Sequence, residues 1–133
     1  MEKKYINPDT LLTPRGYTHI VTIAGPAKLI FISGQVAIDQ EGKLVGAGDL
    51  TAQIGQATAN LKAALVAAGS APADIVKINT YIVNYKQSDY PAVREARAEL
   101  FPEAQPPAST LVGVTSLAVD GLLVEIEAIA AVK

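Results

Sequence analysis

The chain has no cysteine among its 133 residues and only one histidine, His19. Disulfides, thiolate nucleophiles and cysteine-ligated metals are excluded together, and a lone histidine cannot build a His-rich metal site. No apolar run reaches the roughly 18 to 20 residues needed to span a bilayer, and the start "MEKKYINPDT" lacks the apolar core of a signal peptide. The expected setting is therefore soluble and cytoplasmic, with no membrane partner. Charge is sparse at 18%, and 11 Lys and Arg against 13 Asp and Glu leave a net charge of -2. Apart from the adjacent Lys3 and Lys4 the basic residues stand singly, so no basic stripe offers itself to a phosphate backbone, and nucleic acid is not an expected partner. Any chemistry must come from hydroxyls, amides, carboxylates, lysine or arginine.

What the chain has in quantity is apolar surface. Half of its residues are hydrophobic, enough for one domain of ordinary size with surface left over for a subunit interface. We read residues 1–133 as a single domain in which 1–15 form an N-terminal extension. "YTHIVTIAGPAKLIFIS" (Tyr17 to Ser33) reads as two strands joined at Gly25-Pro26, a hairpin. Leu50, Ile54, Ala57, Leu61, Leu65 and Ala68 recur at helical spacing, with Asp49 placed to cap the first turn and Gly69 to end the helix. "IVKINTYIV" (Ile75 to Val83) reads as a strand, and Ser88 or Asp89 before Pro91 starts a second helix with Val93, Ala96 and Leu100 as its apolar stripe. Two further strands follow, around Thr110 to Leu117 and Leu122 to Ala131, joined by a turn at Asp120-Gly121.

The order β-β-α-β-α-β-β predicts an α+β sandwich: a mixed sheet with both helices on one face. In the last strand Val124, Ile126, Ala128 and Ala130 point one way and Leu123 and Ile129 the other, so the second face is partly apolar and a partner subunit is its simplest cover.

"FISGQVAID" (Phe31 to Asp39), "IVKINTYIVN" (Ile75 to Asn84), "PAST" (Pro107 to Thr110) and "LVEIEAIA" (Leu123 to Ala130) stand in the order and at about the spacing of the RidA/YjgF family. The resemblance runs from about Gly16 to the C-terminus. It implies a chorismate-mutase-like fold and a homotrimer with small-molecule clefts between subunits. The implied activity is cofactor-free, metal-free hydrolysis of reactive imines and enamines to a keto acid and ammonia, and the implied ligand is a small carboxylate or carbonyl metabolite. Some members carry the name of ribonuclease or translation inhibitor instead, which the acidic balance of this chain disfavours. The second reading, ahead of that ribonuclease role, is a binding protein without turnover.

The resemblance also assigns candidate residues. Glu125 matches a glutamate that positions the attacking water, and Ser33, Gly34 and Tyr17 match positions lining the cleft. Family deaminases grip the substrate carboxylate with an arginine in Pro-Ala-Arg-Ser/Thr, through two parallel hydrogen bonds that only a guanidinium fork makes. This chain reads Pro107-Ala108-Ser109-Thr110, so Ser109 stands at the arginine position. Ser109 and Thr110 either anchor ligand through their hydroxyls, with Ser109 as part of the catalytic set, or satisfy backbone groups where a loop becomes a strand. Arg94 falls where the deaminases usually carry asparagine. It is either a displaced anion-binding group or a solvated helix residue. Glu125 and Glu127, two apart in a strand, share a face. His19 shares a strand face with Tyr17 and Val21 and is either near the site or structural.

Overall fold

The computed structural model describes residues 1–101 and 104–133. Six strands and two α-helices form: β1 (Glu2–Ile6), β2 (Ile20–Ala24), β3 (Lys28–Val36), α1 (Leu50–Ala67), β4 (Ile75–Val83), α2 (Tyr90–Leu100), β5 (Ala108–Val114) and β6 (Val124–Val132). Single 3-10 turns at Pro72–Asp74 and Gln87–Asp89 lead into β4 and α2.

The main sheet has the order β3-β6-β4-β5. β6 runs antiparallel to both its neighbours, while β4 and β5 are parallel and are connected through α2. Alternation along each strand turns Ile30, Ile32, Ile78, Ile82, Val124 and Ile126 onto α1 and α2. Leu61 and Leu65 of α1 are wholly buried against them, and each such side chain contributes about 1.5–3 kcal/mol through removal from water. Both helices cover this face and leave the other open, giving the mixed α+β architecture that the element order predicts.

α1 begins where its cap requires it. The Asp49 carboxylate accepts a hydrogen bond from the Ala52 N–H at 3.0 Å, and Gly69 beyond the last turn takes the left-handed φ of 74°. The Lys28 ammonium donates to the Ala68 carbonyl at 2.8 Å and satisfies one of the helix's free C-terminal acceptors. α2 starts after Asp89, which bonds the Lys86 N–H at 2.9 Å, with Pro91 in the first turn.

Three expectations are corrected. Residues 1–15 are more than an extension: Glu2–Ile6 forms β1, antiparallel to β2 in a separate two-stranded sheet, so the element order gains a strand at its start. Lys3 links β1 to the turn before β4 through an ion pair with Asp74 at 3.5 Å. Next, β2 and β3 do not pair as a hairpin. β2 joins β1 and β3 joins β6, because Gly25-Pro26 turns the chain between two sheets rather than back along one. Finally, β5 and β6 are not neighbours, since β4 lies between them and takes β5 as a parallel partner.

Candidate functional site

The open face of the main sheet carries a polar patch built by strand pairing. Register sets Asn79 opposite Glu127, and Tyr81 opposite Glu125. The two glutamates share this face, as period-two alternation requires. Glu127 Oε1 accepts hydrogen bonds from the Tyr81 hydroxyl at 2.6 Å and from Asn79 Nδ2 at 2.9 Å. These donors, Tyr81 first, hold the Glu127 carboxyl below the usual carboxylate range against the opposing effect of desolvation. Reciprocally, that bond raises the Tyr81 phenol, helped by desolvation and by the charges of Glu127 and Glu125. Ser33, Lys77, Asn79 and Glu127 line a hollow of about 270 Å³ on this face, with Phe31 and Ile129 as its apolar wall.

Glu125 lies directly over Gly34. A Cβ built on Gly34 would sit 2.6 Å from Glu125 Cδ and 2.7 Å from its Cγ, closer than carbon atoms approach, so the carboxylate occupies space that only a glycine leaves. Thr110 also faces this side, where Lys77 Nζ donates to its hydroxyl at 2.8 Å.

Ser109 does not join them. It pairs with Ile78, a residue of the helix-covered face, and its Oγ is buried with no hydrogen-bond partner. Adjacent in sequence, Ser109 and Thr110 are thus sent to opposite faces by the pleat of β5.

A second concavity of about 410 Å³ lies beside α2, lined by Arg15, Gly16, Tyr90, Arg94, Arg97 and Phe101 among others. Arg94 is exposed at this cleft, and among the described residues no carboxylate forms an ion pair with it. The segment carrying Gly16 is fixed by Thr18, whose N–H donates to the Pro107 carbonyl at 3.1 Å and whose hydroxyl donates to the Pro106 carbonyl at 2.6 Å. Tyr17 is half-buried, with its ring edge-on to His19 at a centroid distance of 5.2 Å. His19 itself ties down the preceding loop. Its Nε2 lies 2.6 Å from the Leu12 carbonyl and its backbone N–H donates to Asn7 at 2.8 Å.

The candidates are therefore dispersed: Ser33, Gly34, Glu125 and Thr110 lie on the open face, Arg94 lies beside α2, Ser109 is on the helix-covered face, and Tyr17 is half-buried against His19 before β2. Sequence reasoning missed Asn79 and Tyr81, although their alternation with Ile78, Thr80 and Ile82 in "INTYIV" is a legible period-two signal. It also missed Arg15 and Arg97. Arg97 follows Arg94 at helical spacing, but nothing local links either to Arg15. Among the described residues no cluster of three or more His, Cys, Asp and Glu is assembled to hold a metal ion, and no helix is long and apolar enough to cross a membrane.

The Endoribonuclease L-PSP family model matches residues 9–132. A 2-iminobutanoate/2-iminopropanoate deaminase of Dermatophagoides farinae is 33% identical over 104 residues, 78% of each chain. A 3-aminoacrylate deaminase, RutC, of Acinetobacter baylyi is 30% identical over 106 residues, covering 80% of this chain and 81% of its own. The crystal structure of YyfB from Yersinia pestis, a Rid family protein described as of unknown function, superposes with a TM-score of 0.90 at 40% identity, covering 99% of this chain and 100% of that one. With the four-stranded mixed sheet, the two helices on one face and the Glu125–Gly34 contact in place, these matches establish that the chain belongs to the RidA/YjgF family, the family also named for endoribonuclease L-PSP.

Proposed function

We propose that this Rid family protein forms a homotrimer whose clefts, completed between subunits, bind a small carboxylate or carbonyl metabolite and hydrolyse its imine or enamine form. The observation that carries this reading is the Glu125 carboxylate seated over Gly34 on an open sheet face, beside the Glu127–Tyr81–Asn79 network. Two relatives named as imine and aminoacrylate deaminases support the same reaction class.

In this reaction Glu125 orients a water and takes its proton as the oxygen attacks the imine carbon and the C=N π bond opens; Glu125 then returns that proton to the nitrogen, and as the hydroxyl gives up its proton to form the C=O bond, the C–N bond breaks and ammonia leaves. Ser33 and Gly34 wall the cleft, Tyr17 closes its mouth and Thr110 offers a hydroxyl on the open face. Arg94 supplies positive charge for the substrate carboxylate. The chemistry requires neither metal nor cofactor.

A second reading, binding without turnover, is favoured by one observation: the β5 position paired with Ile78 holds the neutral Ser109, so no charge from that strand grips a substrate. One experiment separates the two. 2-Aminoacrylate is generated in place by a pyridoxal-phosphate lyase and pyruvate release is followed. The hydrolytic reading expects faster release, reduced about 100-fold or more in Glu125→Gln. Unchanged release, combined with thermal stabilisation by carboxylates, leaves the binder.

A further inference from the structure

The cleft beside α2 concentrates positive charge to a degree the rest of the chain does not. Three arginines, Arg15, Arg94 and Arg97, line one space of about 410 Å³, and among the described residues no carboxylate lines it with them. The ion pairs recorded among the described residues, Lys3 with Asp74 and Lys4 with Glu2, involve none of the three. Arg94 and Arg97 are three apart on α2 and so share a helix face, while Arg15 arrives from the loop held down by Thr18.

The three differ in depth. Arg15 and Arg94 are exposed at the mouth, where water screens them. Arg97 is drawn inward: one Nη lies 3.5 Å from Thr80 Oγ1, and its Nε–H is buried with no partner. Burial lowers the affinity of this guanidinium for its proton, opposed by the neighbouring Tyr90 and Tyr85. A desolvated cation with an unsatisfied donor is costly unless an anion meets it. Tyr90, Phe101 and Pro106 line the same space and give it an aromatic and apolar wall with no charge of its own.

A single carboxylate would satisfy one guanidinium fork and leave the remaining positive charges facing one another. We infer that the cleft takes a small dicarboxylate, one end held bidentately by Arg97 in the interior and the other by Arg94 and Arg15 at the mouth, with a short hydrocarbon spacer against Tyr90 and Phe101. The cavity volume lies in the range that encloses small ligands. This inference rests on the proposed binding of small carboxylates and narrows that ligand to one with two separated negative charges.

Titration calorimetry of the full chain with succinate, glutarate, butanoate and inorganic phosphate tests it. Succinate or glutarate is expected to bind at least about tenfold more tightly than butanoate or phosphate, with affinity falling as salt rises. Arg97→Lys keeps the charge but loses the fork, and weakens the dicarboxylate about tenfold. Arg94→Gln and Arg15→Gln alter exposed residues and decide the matter if the Arg97 variant does not fold; each weakens dicarboxylate binding several-fold while leaving the thermal midpoint unchanged. Equal affinity for butanoate and succinate, phosphate binding as tight as succinate, or unchanged dicarboxylate binding in the arginine variants overturns the inference. Turnover of 2-aminoacrylate without dicarboxylate preference removes this inference alone. Dicarboxylate binding without turnover removes the hydrolytic reading alone.

Discussion

Gly34 shows how one missing methyl group shapes a site. Its requirement is space and not an unusual backbone angle, since it is absent from the glycines of positive φ while its Cβ position is filled by the Glu125 side chain. Gly34→Ala is expected to push the Glu125 carboxylate aside. Because that carboxylate ends a flexible side chain, stability should change by less than about 1 kcal/mol, whereas misplacement of the group that orients water should slow imine hydrolysis about tenfold or more. Denaturant unfolding and the aminoacrylate assay on the same preparation check both halves. The sequence places Gly34 in the cleft lining only by resemblance; its partner lies on β6, far along the chain, so only the pairing of β3 with β6 shows what fills the space of the missing side chain.

At the scale of elements, α1 was legible throughout because its signals are local: a capping aspartate, an apolar stripe and a terminal glycine. Its one buried amide carries less obvious weight. Gln53 is fully buried, donates to the carbonyls of Gly46 at 3.1 Å and Gly121 at 2.9 Å, and accepts from the Leu123 N–H at 2.8 Å. It thereby clamps the loop before α1 to the turn before β6. Gln53→Ala removes all three bonds and leaves buried backbone groups without partners, a loss of about 3 kcal/mol, which calorimetry should record as a thermal midpoint lower by about 10 °C. A change of less than a few degrees would show that water replaces the amide. The strands were legible as strands, but their partners were not. Alternation reports which residues share a face and says nothing of which strand lies alongside, so the β2–β3 hairpin was expected where two sheets form.

For the molecule as a whole, the open face sets the terms. Leu29 and Phe31 are exposed on β3, Phe31 by 72%, and Val112 is exposed on β5. An apolar surface of this kind beside the carboxylate patch suits a subunit contact. The proposed trimer predicts a mass by light scattering of about three times the 13.9 kDa chain. Phe31→Glu, which sets a charge in that contact, should give a folded monomer with unchanged circular dichroism and no cleft activity. A monomeric wild type would remove the shared cleft and with it the proposed meeting of Glu125 and Arg94.

The amino-acid sequence by itself determined every element but β1, the buried stripes of α1 and α2 and the exclusion of thiol chemistry, because caps, periodicity and composition act within a few residues. It also placed Glu125 and Glu127 on one face, since strand period alone requires that. Tertiary structure decided which strands are neighbours, why Gly34 has no side chain, that Ser109 and Thr110 part company, and that Arg15 converges with Arg94 and Arg97 on one cleft. Those outcomes depend on packing between segments distant in the chain, where the burial of a whole sheet face outweighs any preference a short stretch can express.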